Sequence, residues 1–183
     1  MKSLFKKYRL VWRFIVVFLG VYLLLSFFYF LYLKYGHSET YYPEIITHTV
    51  ALHSQAVIEG FGYEATTVPS PYDDSMLMNL DGKTIVRIVE GCNAMSVMLL
   101  FVSFILAFAQ KLKETLLFMF AGLALIYTVN IFRIALLTIG IYKWPQHQEV
   151  LHQIIFPMII YGMVFLLWLL WIRKITLNQK SHV

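Results

Sequence analysis

Four long apolar runs, separated by short polar or basic segments, organise this chain: roughly Trp12–Leu33, Asn93–Ala109, Thr115–Tyr142 and His152–Ile172. A helix of about 17–25 apolar residues crosses a hydrocarbon core roughly 30 Å thick. The pattern therefore predicts four membrane spans. Between the first and second runs the periodicity changes. Tyr42, Ile45, Ile46, Thr49, Val50, His53, Ala56 and Val57 recur at spacings of three and four. That is one face of an amphipathic helix suited to a membrane surface. "FGYEATTV" then reads as a strand, ended by "PSP". "MLMNL" and "KTIVRIV" flank "DG", which signals a two-residue hairpin turn. The expected fold class is an all-α integral membrane protein. It would be a four-transmembrane-helix bundle with a small extracytoplasmic α+β segment, an amphipathic helix plus a β-hairpin.

Composition narrows the class further. The 183 residues are 60% hydrophobic and 14% charged, too apolar for a soluble domain of this length. The net charge of +5 is not gathered into a nucleic-acid stripe. Lys2, Lys6, Lys7, Arg9 and Arg13 flank the start of the first run. Lys111 and Lys113 lie between the second and third runs, and Arg173, Lys174 and Lys180 follow the last. By the positive-inside rule these flanks place both termini in the cytoplasm. The expected organisation is residues 1–33 as cytoplasmic N-terminus and first span, 34–91 as the extracytoplasmic segment, 92–172 as a three-helix catalytic membrane core, and 173–183 as a cytoplasmic tail. The first run has a basic start, but "LKYGHSE" after it offers no small-x-small cleavage site, so an uncleaved signal anchor is expected.

Two polar residues stand inside the third run. Asn130 and Arg133 are three apart and share a helix face. An arginine within a span costs about 2.5–3.5 kcal/mol on insertion scales and by default marks a functional site. It lies nine residues before Tyr142, or about 13 Å along the axis at 1.5 Å per residue. That depth is the outer half of the membrane, from which the head can snorkel upward. His152 opens the fourth run, again at its outer end. The other histidine pairs, His147 with His152 and His48 with His53, are five apart and diverge on a helix. They do not make a metal site, and no cofactor is expected.

Cys92 is the only cysteine. It excludes an internal disulfide and weakens any thiol oxidoreductase reading, since that chemistry needs cysteine pairs. It opens the second run at the outer face, with Gly91 expected to permit a sharp loop-to-helix turn and Asn93 to support the helix start. Three segments thus deliver a thiol, a guanidinium and an imidazole to one leaflet. A helix start or a neighbouring cation favours the nucleophilic thiolate. His152 can move a proton to or from an amine. Arg133 can either activate the thiol or stabilise an oxyanion, and the sequence leaves both open.

"EGCNAMSV", "NIFR" and "EVLH", in this order on successive spans, resemble the exosortase/archaeosortase family of membrane-embedded cysteine transpeptidases. The resemblance covers roughly residues 85–172. The short length and the "GCNA" form look most like the small exosortase F type of Bacteroidetes. The resemblance implies Cys92 as nucleophile, with Arg133 and His152 as catalytic partners. It implies cleavage of C-terminal sorting signals on exported proteins, at the outer face of the cytoplasmic (inner) membrane, through an acyl-enzyme on Cys92. Substrates would carry a short motif, a transmembrane helix and a basic tail. Classical members have more spans, and usually a Cys-Ser-Gly type motif where this chain has Cys92-Asn93-Ala94. A membrane partner protein or an oligomer would complete the site. A second class stays open, a non-catalytic binding or assembly factor that recognises transmembrane helices, with Asn130 and Arg133 making interhelical contacts. A channel or transporter has little support, because no inverted repeat is visible.

Overall fold

In a computed structural model, described over residues 8–180, long apolar helices frame a small outer layer. Lys2, Lys6 and Lys7, which enter the topology argument, lie outside the described residues. Helix α1 spans Arg9–Tyr35, α2 Ile45–Gly60, α3 Met95–Ala107, α4 Leu112–Lys143 and α5 Phe156–Lys180. Among the described residues three stretches are long and apolar enough to cross a membrane: Val11–Tyr35, Leu112–Lys143 and Pro145–Leu177.

The second run departs from its expectation. Its helix has 13 residues, about 20 Å at 1.5 Å per residue, short of a hydrocarbon core. The cause is local. Ala94 sits in the left-handed region at φ 61°, so the chain cannot be helical through Asn93 and Ala94. The expected second span is therefore a shorter apolar helix, supported on both sides by longer ones. Phe14 of α1 stacks on Phe108 at 4.6 Å and meets Phe104 edge-on at 5.9 Å. On the other side Phe101, Ile105, Ile126, Val164 and Trp171 form a common core of α3, α4 and α5.

That core contains one demanding contact. A Cβ at Gly122 would stand 2.2 Å from the Phe101 ring, and Phe101 is fully buried. The ring is held by its neighbours and has nowhere to go. Gly122→Val is expected to destabilise the fold by about 1–3 kcal/mol, the usual cost of overpacking. Thermal unfolding of the variant in lipid nanodiscs measures this.

The outer layer joins α2 to a three-stranded antiparallel sheet of order β1-β2-β3. Its strands are Ala65–Pro69, Met76–Leu80 and Lys83–Ile88. Asp81 and Gly82 both have positive φ, 48° and 76°, as the two-residue turn requires, and Leu80 pairs with Lys83 around them. Met76, Met78 and Leu80 alternate into the core. The strand expected from "FGYEATTV" pairs with this hairpin as its third member, so the segment is a sheet and not a hairpin alone.

Helix α2 forms where its periodicity places it, but its buried face is displaced. Thr47, Val50, Ala51, Ser54 and Ile58 face inward, while Ile45 and His53 are exposed. The helix packs on α4 and the sheet, so this face serves protein contact in place of the membrane surface. Small polar residues suit the close approach, and their hydrogen bonds are satisfied. Ser54 Oγ donates to the Val50 carbonyl at 2.7 Å, and Thr47 Oγ1 accepts from Asn93 Nδ2 at 3.2 Å. The helix start is capped by Glu44, whose carboxylate accepts from Ile46 N and Thr47 N at 2.6 and 2.9 Å.

Candidate active site

β3 leads directly into the loop that carries Cys92. After Ile88 the chain turns once as a 3-10 helix, Glu90–Cys92. The Cys92 N–H donates to Val89 O at 2.8 Å and the Asn93 N–H to Glu90 O at 3.2 Å. Ala94 then reverses the chain in the left-handed conformation, and α3 begins at Met95. Cys92 therefore does not open the helix, as its place in the sequence suggested. It sits on a separate turn three residues before α3. Gly91 has an ordinary φ, and open space surrounds its Cα, so the sharp turn does not depend on it. The residue that bends the chain is Ala94. What Gly91 leaves is an unobstructed approach beside the thiol.

Two asparagines hold this loop. Asn93 is buried, and its Oδ1 accepts from Met95 N at 2.8 Å, capping the first amide of α3. Its Nδ2 donates to Tyr29 Oη at 3.0 Å and to Thr47 Oγ1 at 3.2 Å, tying the loop to α1 and α2. Asn130 of α4 donates from Nδ2 to the Cys92 carbonyl at 2.8 Å. Both amides act on the backbone around the sulfur and leave the thiol free of direct constraint. Asn93→Ala removes three hydrogen bonds, so a loss of about 1–3 kcal/mol is expected. Hydrogen exchange across residues 90–95, compared with global unfolding, checks whether the loop loosens first.

Arg133 lies one helical turn beyond Asn130 on the same face of α4, as the spacing predicts. Its Nε is buried and has no hydrogen-bond partner. His152 occupies a single π-helical turn, Leu151–Ile155, just before α5. Such turns are rare and recur at functional sites. Cys92, Arg133 and His152 together line two cavities. One, of about 470 Å³, runs along β3 against Leu137 and Ile141. The other, of about 450 Å³, opens between α3 and α5, against Val97, Pro157, Ile160 and Tyr161. Cys92 belongs to the lining of both. No Asp or Glu lines either cavity.

The same three residues that the ordered motifs single out are thus brought together by three separate elements. The profile of the transmembrane exosortase family matches residues 6–172, nearly the whole chain. This chain belongs to the transmembrane exosortase family. No curated protein and no solved structure matches it. Membership makes it a membrane protein and supports a transpeptidase-type role.

One residue of the candidate site went unnoticed in the sequence. Arg87, on β3, lines both cavities and adds a second guanidinium to the thiol's surroundings. It is paired with Asp73. Hydrogen bonds from the Ser75 and Ser70 hydroxyls, with Arg87 adding its charge, hold the Asp73 carboxyl below the usual carboxylate range. The available signal was alternation along "KTIVRIV", which sets Arg87 off the core face five residues before Cys92. The remaining histidines of the outer layer stay apart from the site. His48 Nδ1 lies 3.0 Å from Tyr42 O, and His53 Nδ1 lies 2.7 Å from Tyr127 Oη. Among the described residues no three His, Cys, Asp or Glu side chains gather as metal ligands.

Proposed function

We propose that this exosortase is a cysteine peptidase or transpeptidase that cleaves C-terminal sorting signals of exported proteins through an acyl-enzyme on Cys92. The observation that carries the reading is the buried, unpartnered Nε of Arg133 in a wall shared with Cys92 and His152. A buried donor without a partner costs about 1–3 kcal/mol. Asn130 Oδ1 and Trp168 Nε1 are also buried without a partner, and of these three groups only Arg133 Nε belongs to a residue that lines both cavities with Cys92 and His152.

The chemistry follows from the three groups. His152 takes the thiol proton as Cys92 Sγ attacks the scissile carbonyl carbon. The carbonyl oxygen becomes an oxyanion, and Arg133 supplies the N–H and charge that stabilise it. As the carbon–nitrogen bond breaks, His152 returns its proton to the leaving amine. An acceptor amine or water then attacks the thioester and gives its proton to His152, and Cys92 leaves as thiolate. Of the two roles that the sequence leaves open for Arg133, this proposal takes the oxyanion role.

The site is proposed to face the periplasm or outside of the inner membrane, with both termini cytoplasmic. A cut at this boundary has water at hand. Mass spectrometry of envelope proteins from cells with and without the gene tests the proposal. The expected result is a set of proteins that share a C-terminal truncation only when the gene is present. Identical C-termini in both strains would overturn it.

A further inference from the structure

A scissile bond at the edge of a membrane presents a problem of backbone chemistry. In a helix each carbonyl is hydrogen-bonded and enclosed, so a thiol reaches it only once the segment is extended. An extended segment that enters a groove in the protein gives up its hydrogen bonds to water and must find protein partners for its N–H and C=O groups, because buried unpaired ones are costly. β3 offers such partners. It is an edge strand, and among the described residues only β2 pairs with it.

The 470 Å³ cavity runs along this edge. Five consecutive residues, Thr84 through Ile88, line it. The register shift opposite Met78 and Asn79 leaves Ile85 unpaired with β2, and Leu77 of β2 also lines the cavity, so the groove takes in the open edge of β3 together with part of the sheet face. The groove ends at Cys92, four positions past Ile88. The second cavity, also lined by Cys92, lies at the outer ends of α3 and α5, where Val97, Pro157, Ile160 and Tyr161 give it an apolar side opposite Arg87, Arg133 and His152.

We propose that β3 binds the extended segment on the N-terminal side of the scissile bond as a fourth strand, while the transmembrane helix on the C-terminal side starts at the opening between the outer ends of α3 and α5. This rests on Cys92 being the nucleophile and adds where each half of the substrate lies. It also sets a direction. A chain whose N-terminal part lies against Lys83 and whose scissile carbonyl reaches Cys92 runs parallel to β3. Main-chain hydrogen bonds then supply affinity, and alternate side chains of the segment supply specificity. The acyl half stays paired to β3 on the enzyme when the helix departs.

Two measurements on the full chain in lipid nanodiscs test this. The first labels Cys92 with acetyl-trialanyl chloromethyl ketone and with the same reagent N-methylated at its internal amides. Each rate is divided by that of the same reagent with free glutathione, which cancels the intrinsic reactivity of the reagent. The parent reagent is expected to label about tenfold faster, the effect of a few lost hydrogen bonds. Equal ratios overturn the strand pairing. The second measures hydrogen exchange of residues 83–88 in Cys92→Ala protein with acetyl-trialanyl amide present. Slower exchange is expected with the parent peptide and not with its N-methylated form. Unchanged exchange overturns the proposal. The second arm needs no thiol, so it decides the pairing even if processing were to survive in Cys92→Ala.

Discussion

Cys92→Ala is expected to abolish processing, by a factor of at least about 10³, while the protein inserts and unfolds as the wild type does. The sulfur is half-buried on a turn whose backbone is held by Asn93 and Asn130, not by the thiol. Removing one atom from such a position falls among substitutions that change stability by about 0.5–1 kcal/mol at most. The loss would therefore be chemical. The competing class, a binding factor for transmembrane helices, gives the opposite result, since nothing in helix recognition depends on a thiol in the lining of two cavities. Assaying processing and membrane insertion in the same cells separates the two. Processing at the wild-type rate in Cys92→Ala would remove the nucleophile.

The bundle was legible because its signal is simple. An apolar run either is or is not long enough, and Arg9–Tyr35 and Leu112–Lys143 formed where hydropathy put them. The Asp81-Gly82 turn was legible for the same reason, as two positive φ angles are within reach of few residue pairs. Reading failed where one interaction decided the outcome. Nothing in "GCNAMS" marks Ala94 for the left-handed region, a conformation that costs an alanine roughly 1 kcal/mol, yet that residue shortens α3 and separates Cys92 from it. The inward face of α2 was missed because Thr47 and Ser54 are polar. Their burial depends on Asn93 and on a backbone carbonyl of their own helix, neither visible in periodicity. Within the site, Asn130 and Arg133 announced themselves as polar residues in an apolar run. Arg87 did not, since an arginine on an exposed strand edge is ordinary until the fold sets it in the same cavity linings as Cys92.

Arg133→Met carries the second large effect, and here stability and activity should move in opposite directions. The arginine is expensive where it stands. Its charge lies within a spanning helix, at about 2.5–3.5 kcal/mol on insertion scales, and its buried Nε–H has no partner in the resting protein. Methionine preserves much of the length and fills irregular gaps without a donor to satisfy. The variant is therefore expected to gain about 1–3 kcal/mol, read as a raised melting temperature in nanodiscs. Activity is expected to fall by about 10²–10³, the usual consequence of removing one oxyanion donor. A residue whose task was to tie helices together would behave otherwise, because its removal would loosen α4 against its neighbours and lower the melting temperature. Arg133→Lys refines the test. It restores charge but not the planar N–H fork, so a partial rescue assigns the remaining deficit to hydrogen-bond geometry at the oxyanion. A destabilised Arg133→Met protein that still processes its substrates would assign the guanidinium to the scaffold and leave Cys92 and His152 without their electrostatic partner.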